Sequence, residues 1–315
     1  MKTDQGTSGT TSIRKGVRQG CVLSPLLFNI YSETIFKEAL SEECGGITIN
    51  GEVINNIRYA DDTVIIADEL PALQCMINRV VQCSEESGLS INTSNTKIMV
   101  FSKRKVQTNL TIKGKTVEQV SSFKYLANIL DNQCDSKKEI RCRIEQARKQ
   151  FFNMKKFFIR SDLSLQLRIR MIRCYIFSVL LYGCESWTLD PNTEKRIQAF
   201  EMYLYRRLLR IPWILKVSND EVLRRMEKQR ELLLTIKQRK TQYLGHVMRG
   251  KKYQLLQLII EGKIQGKRSI GRRRNSWLKD IRRWYSCTSE EAFHAALSRP
   301  ELAMWIVNLR SETTS

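Results

Sequence analysis

Tyr59-Ala60-Asp61-Asp62 lies between Ile57 on one side and Val64, Ile65 and Ile66 on the other, and this stretch decides how the surrounding chain folds. β-Branched and aromatic residues favour extended backbone, so the pattern predicts strand, turn, strand with the acidic pair at the reversal. Two adjacent carboxylates repel each other unless a cation stands between them. Mg²⁺ or Mn²⁺, which prefer hard oxygen ligands, are the natural guests. Aspartate is also common in ordinary polar turns, where its side chain bonds the local backbone. The pair by itself is compatible with either role.

Upstream, Gly16-Val17-Arg18-Gln19-Gly20-Cys21-Val22-Leu23-Ser24-Pro25-Leu26-Leu27-Phe28-Asn29 reads as a glycine-punctuated loop feeding a helix, with Ser24 as N-cap and Pro25 in the first turn. Such a loop offers backbone N–H groups and the Gln19 side chain to a phosphate or base edge above the helix N-terminus. This loop, followed by the Tyr-Ala-Asp-Asp hairpin, resembles the palm of reverse transcriptases, specifically those of non-LTR (LINE-type) retrotransposons. The resemblance implies that Arg18, Gln19, Gly20 and Tyr59 meet the nucleotide or the template.

The likeness continues in order along the chain. A helix is predicted from about Leu70 to Ser87, with Leu73, Ile77, Val80 and Val81 on one face and Gly88 as its stop. Gly88-Leu89-Ser90-Ile91-Asn92, with Lys97 leading into Ile98-Met99-Val100-Phe101, is similar to the next palm motif. There the resemblance implies a general-acid role for Lys97 toward the departing pyrophosphate; a lysine in a turn is otherwise a solvated charge. Phe123-Lys124-Tyr125-Leu126 resembles the start of the hairpin that grips the primer terminus, with Ala127 and Asn128 where the family pattern has a glycine.

Nucleotidyl transfer in such enzymes uses two metal ions, one at the primer 3′-hydroxyl and one at the triphosphate. By resemblance, Asp61 and Asp62 are catalytic metal ligands for Mg²⁺ or Mn²⁺, Asp61 the principal one. A third Asp belongs on an upstream strand. The first fifteen residues offer only Asp4, among Lys2, Thr3, Gln5 and Gly6, with no strand pattern. The expectation is a C-terminal piece of a larger element protein, or a relic of one. Without the fingers and the first catalytic Asp it is expected to be inactive alone. The alternative is a non-catalytic nucleic-acid-binding relic. RNA template and DNA primer or target are the implied partners, and no specific protein partner is indicated.

Composition supports a folded, charged protein. The 315 residues are 42% apolar, enough for a sizeable core, and no apolar run approaches a membrane span. The polar N-terminus is no signal peptide, so nucleus or cytoplasm is expected. The nine cysteines lack any Cys-x-x-Cys, and the only histidines are His246 and His294. Neither a zinc knuckle nor a disulfide framework is predicted; the thiols read as small buried hydrophobes. Residues 1–133 carry 14 basic and 14 acidic side chains, so the entire net charge of +21 falls after residue 133. That asymmetry calls for a polyanionic partner on the C-terminal part, nucleic acid or a membrane surface by charge alone.

Periodicity changes at the same point. Earlier segments mix helices with hairpins, signalled by Asn50-Gly51 and by Lys113-Gly114. From Lys137 onward the pattern is helical: Ile140, Ile144, Ala147, Phe151 and Phe158 mark one apolar face, Ile169, Ile172, Ile176 and Leu180 a second. Ile197, Phe200, Leu204 and Leu208 mark a third. Arg168, Arg170 and Arg173 decorate the second helix and could meet phosphates. Tyr182-Gly183-Cys184-Glu185-Ser186-Trp187 resembles a segment of retroelement thumbs; a helix end with a turn and a buried Trp would also account for it. Leu244 to Arg249 and Glu261 to Arg268 resemble RTE-like or jockey-like sequences. Lys267, Arg268, Arg272, Arg273 and Arg274 form a basic cluster suited to phosphate, or to nuclear localisation, while Trp277 and Trp284, seven apart, are expected to face the core. The fold class is therefore α+β, and the resemblance implies a truncated right-hand palm over 1–133, an all-α thumb over 134–215 and a basic helical C-terminal region over 216–315.

Overall fold

A computed structural model gives the chain an α+β architecture and describes residues 2–3, 6–7, 16–18, 20–40, 45–102, 104, 106–160, 162–264 and 276–312. The backbone divides into a first unit, residues 1–98 with 107–118, and a second, residues 99–106 with 119–315. Among the described residues every sheet is two-stranded.

In the first unit, α1 (Ser24–Ala39) and α2 (Leu70–Glu86) each start with a proline in the opening turn, where its missing N–H costs nothing. Ser24 does not act as the expected cap. Leu23 takes the N-cap position, and the Ser24 hydroxyl instead donates to the Arg18 carbonyl at 2.6 Å, closing the glycine loop onto the helix start. The stop at Gly88 is as expected. Its φ of +75° lets the Gly88 amide reach the Glu85 carbonyl at 2.9 Å and the Leu89 amide reach the Ser84 carbonyl at 2.7 Å, the paired bonds of a Schellman ending. Hairpins join β1 (Ile47–Ile49) to β2 (Glu52–Ile54), β3 (Asn56–Tyr59) to β4 (Asp62–Ile65), and β5 (Thr111–Ile112) to β6 (Lys115–Thr116). Asn50-Gly51 and Lys113-Gly114 both hold positive φ at two central turn residues, which matches the strand twist. α2 serves two small cores. Ile77 packs with Ile98, Leu110, Ile112 and Val117, while Met76 and Val80 pack with Ala39 and Leu40 at the end of α1.

The second unit begins with the hairpin β7 (Ser122–Tyr125) to β8 (Asn128–Asp131) and continues as helices. These are α3 (Lys137–Asn153), α4 (Leu165–Met171), α5 (Pro191–Leu208), α6 (Asn219–Met226), α7 (Leu232–Arg249), α8 (Gln254–Glu261), α9 (Trp277–Tyr285), α10 (Ser289–Leu297) and α11 (Arg299–Glu312). α4 runs on through a π-helical stretch, Ile172–Phe177, into Ser178–Leu180. The three apolar faces read from periodicity are all buried in one core that extends from Ile140 to Leu309. Phe158 reaches that core from a separate short turn, because α3 ends at Asn153. Trp284 lies in the core and Trp277 packs against it, as expected.

Charged groups are buried in this core as well. Lys240 is fully enclosed, donates to Asp280 Oδ2 at 2.6 Å and to the Trp187 carbonyl at 2.7 Å, and lies 4.7 Å from the Trp277 ring centroid. Asp280 also accepts the Leu189 amide at 2.8 Å. Burial pulls the Lys240 ammonium down to about 8, against the attraction of Asp280. Glu201 accepts from the Glu231 and Leu232 amides at the start of α7 and from the Tyr205 hydroxyl, and burial raises its carboxyl above the ordinary value.

The cysteines correct the sequence reading. Of those described, Cys184 alone is buried, its thiol pushed up to about 12; Cys21, Cys75, Cys134 and Cys174 are exposed. The thiols are free among the described residues, and no described helix is long and apolar enough to cross a membrane.

Candidate active site

The acidic pair occupies the tip of the β3–β4 hairpin. Tyr59 pairs with Asp62 in the ladder, leaving Ala60 and Asp61 as the two turn residues, with Ala60 at φ +52°. Tyr59, Asp61 and Asp62 are all exposed, and neither carboxylate has a hydrogen bond or ion pair to a described residue. The strands are held from behind. Arg58 donates to the Glu33 carboxylate on α1 and lies 5.0 Å from the Phe36 ring centroid, and the Ile66 amide donates to the Asn55 carbonyl at 2.7 Å. Two hard, unengaged oxygen donors on a fixed turn suit an ion of the Mg²⁺ type, which binds through one or two carboxylates and substrate phosphate. Among the described residues no group of three His, Cys, Asp or Glu side chains is arranged to hold a metal.

The glycine loop places the Arg18 side chain in solvent, with Gly20 at φ +83° behind it; Gln19 lies outside the described residues. At the helix start, hydrogen bonding from the Leu23 backbone holds the Cys21 thiol below its ordinary value. Lys97 is engaged, its ammonium 2.7 Å from the Glu118 carboxylate.

Phe123, Lys124, Tyr125 and Leu126 lie on the β7–β8 hairpin in the second unit. Its turn carries two consecutive non-glycine residues at positive φ, Leu126 at +46° and Ala127 at +64°. Ala127 is one of the two positions, with Asn128, where the resemblance implies glycine, and left-handed backbone costs a non-glycine residue roughly 1–2 kcal/mol. A network missed in the sequence holds the turn. Arg143, buried on α3, donates to the Ala127 carbonyl at 2.5 Å, to Asn128 Oδ1 at 2.9 Å and to Glu139 at 2.6 Å. The second Glu139 oxygen accepts the Ile129 amide at 2.7 Å. Tyr182 stands 4.6 Å beneath the Arg143 guanidinium and donates its hydroxyl to the Leu126 carbonyl at 3.2 Å. Gly183 is required here, since a Cβ would come within 2.7 Å of the Asn128 side chain. The only signal available beforehand was the i,i+4 spacing of Glu139 and Arg143 on a helix.

Two of the three arginines assigned to phosphate on α4 and its continuation are fasteners. Arg168 donates to the Phe158 and Leu208 carbonyls at 3.3 and 3.0 Å, and Arg173 forks onto Glu231. Arg170 is exposed with no partner among the described residues. Lys267, Arg268, Arg272, Arg273 and Arg274 lie outside the described residues.

Residues 2–130 match the family model for reverse transcriptase (RNA-dependent DNA polymerase). Over that segment the chain is similar to reverse transcriptases, and several of the proteins it resembles are named as RNA-directed DNA polymerases of mobile elements. A transposon-derived protein of Caenorhabditis elegans is 27% identical over 279 residues, 85% of this chain and 99% of the relative. The RNA-directed DNA polymerase from mobile element jockey of Drosophila funebris is 22% identical over 225 residues, 70% of this chain. The chain spans about a quarter of that polymerase, 25% of its length. A retrovirus-related Pol polyprotein from the type-1 retrotransposable element R2 of Nasonia vitripennis is 35% identical over 77 residues, 24% of this chain and 7% of the relative.

Proposed function

We propose that this chain is part of an RNA-directed DNA polymerase of a non-LTR retrotransposon, contributing to extension of DNA on an RNA template by two-metal nucleotidyl transfer when the rest of the polymerase is present. The observation that carries this reading is the exposed Asp61-Asp62 pair at a two-residue turn, without a partner among the described residues, inside the segment that matches the reverse transcriptase model. Residues 1–133 are read as partial palm, 134–215 as the helical thumb, and 216–315 as the basic helical C-terminal region. Asp61 and Asp62 would hold the divalent ion, which when bound neutralises charge at the triphosphate and the primer hydroxyl.

The chain's own residues do the positioning. The Arg58 tie to α1 fixes the hairpin, and Tyr59 offers a ring beside the carboxylates. Lys97, read as the proton donor toward pyrophosphate, is engaged by the Glu118 carboxylate at 2.7 Å and would act only after leaving it. The β7–β8 turn, fixed by Arg143 and Tyr182, presents the backbone of a primer grip. Alone, the chain is proposed to be inactive, because the resemblance requires a third carboxylate and the described residues supply no such group beside the pair.

Primer extension on poly(rA)/oligo(dT) with Mg²⁺ tests both halves. The expected result is no incorporation by the 315-residue chain. Robust incorporation abolished by Asp61→Ala would overturn the inactivity while keeping the site assignment. Incorporation that survives Asp61→Ala would overturn the site.

A further inference from the structure

The second unit carries a basic and aromatic surface that no motif marks. A cleft of about 280 Å³ lies between α3 and α5, lined by Arg141, Glu145 and Arg148 from one helix and Arg196, Phe200 and Tyr203 from the other. The Arg148 guanidinium lies 5.5 Å from the Tyr203 ring centroid and that of Arg207 lies 5.3 Å from it. Glu145 is the one acid in the lining and is spent on Arg148 at 3.1 Å. Arg141 and Arg196 are exposed and have no hydrogen bond or ion pair to a described residue.

α5 leads from this cleft to an exposed apolar tip. Arg196 and Tyr203 are seven residues apart, with Arg207 one turn beyond Tyr203, so they share a helix face about 17 Å long at 1.5 Å per residue. Past the helix, Trp213, Ile214 and Leu215 are 89%, 86% and 61% exposed, an unusual concentration of apolar surface. The loop beneath them is built rather than slack. Arg206 clasps its base by donating to the Val217 carbonyl at 3.0 Å and to Asn219 Oδ1 at 2.8 Å, and Arg210 donates to the Ile159 carbonyl. From residue 202 to residue 219 there is no acidic side chain, while Arg206, Arg207, Arg210 and Lys216 are all basic.

We propose that this surface binds single-stranded nucleic acid, its phosphates along Arg141, Arg196 and Arg207 and an unpaired base stacked on Trp213. The chemistry selects that occupant. A cationic stripe gives sequence-independent phosphate affinity, a rigidly presented indole offers a flat face to any base, and Ile214 and Leu215 extend the apolar contact beside it. A protein partner would explain the apolar tip without using the predominantly basic face of Arg141, Arg196 and Arg207. The inference rests on the polymerase reading above and names where its strand runs.

Anisotropy with a fluorescein-labelled oligo(rU) strand and the full chain, titrated across a salt series, tests it. Trp213→Ala is expected to weaken binding about five- to hundredfold, the range for one lost base stack, with the salt slope unchanged. Trp213→Phe should recover most of the loss. Arg141→Gln/Arg196→Gln/Arg207→Gln should lower the log–log salt slope by about 2, from roughly 0.7 per phosphate contact on a single strand. Wild-type affinity in Trp213→Ala together with an unchanged slope in the triple variant would overturn the proposal. So would tighter binding to a blunt duplex that ignores Trp213→Ala, or self-association of the chain abolished by Trp213→Ala while strand affinity stays constant. If the wild-type chain binds no oligonucleotide at low salt, the polymerase reading falls with it; loss of the Trp213 effect alone leaves that reading standing.

Discussion

The two units use charge in opposite ways. In the first, Asp61 and Asp62 stand side by side, same sign, exposed and without a partner among the described residues, at a two-residue turn. In the second, Lys240 and Asp280 are 0% and 2% exposed, opposite in sign and fully engaged with each other and with backbone groups of the Trp187–Leu189 segment. A charge that a fold needs is buried and satisfied, because leaving it unpaired would cost several kcal/mol. A charge left in solvent beside its own kind does nothing for the fold. Such an arrangement is the mark of a group kept for a ligand.

The sharpest way to break this contrast is Lys240→Met. The side chains are similar in volume, but Asp280 loses its cation in a buried setting and the Trp187 carbonyl loses a donor, so a loss of about 3–5 kcal/mol is expected in urea unfolding. The residue also sets a pH dependence. Its ammonium titrates near 8 when folded and at its ordinary 10.5 when unfolded. Between those values the unfolded chain holds more protons, so the Lys240 contribution makes stability rise with pH across that window, and this slope should vanish in Lys240→Met. A loss below 1 kcal/mol would mean the buried pair is not what joins α7 to α9.

The Tyr182–Leu189 segment shows why parts of this structure were legible in sequence and others were not. Its local shape could be read: a helix end, a turn, which Gly183 makes in the left-handed region, and a buried Trp187. Its role could not, because its partners are distant in the chain. Tyr182 meets Leu126, the Glu185 carbonyl accepts from the Trp277 indole at 2.7 Å, and the Trp187 carbonyl accepts from Lys240. The same division holds elsewhere. Short-range signals such as the Asn50-Gly51 turn, the Gly88 stop and the apolar faces from Ile140 to Leu208 all appear in the structure. Arg168 and Arg173 were drawn to phosphate because sequence gives charge without partners; the Leu208 carbonyl and Glu231 that engage them lie 40 and 58 residues away. The hairpin-tip placement of the acidic pair was legible because two adjacent carboxylates between β-forming flanks need no distant residue to define the turn.

A smaller effect sharpens the comparison within the second unit. Ala127 holds φ +64° at a turn that glycine would adopt freely, and the Arg143 and Tyr182 bonds keep it there. Ala127→Gly removes about 1–2 kcal/mol of native strain but adds roughly 0.4–1 kcal/mol of unfolded-state entropy. The net expectation is stabilisation of about 1 kcal/mol or less, read as a rise in the urea midpoint at constant slope. A fall of more than 1 kcal/mol would show that the Cβ makes a contact the turn depends on.

The smallest expected effect is also the one that bears most on function. Asp61→Asn keeps the size and turn preference of the side chain, removes one of two repelling charges and breaks no hydrogen bond to a described residue. Stability should therefore stay within about 0.5 kcal/mol of wild type, with any change toward greater stability. Amide exchange along β3 and β4 reads this locally, since those strands report opening of the hairpin itself rather than of the large helical core. Faster exchange by more than tenfold would mean that Asp61 supports the turn, and the pair would then be ordinary turn chemistry. Unchanged exchange leaves two carboxylates that the fold neither needs nor neutralises. Their mutual repulsion is then a standing cost that only a bound cation relieves, which is the condition a metal-dependent transfer site has to meet.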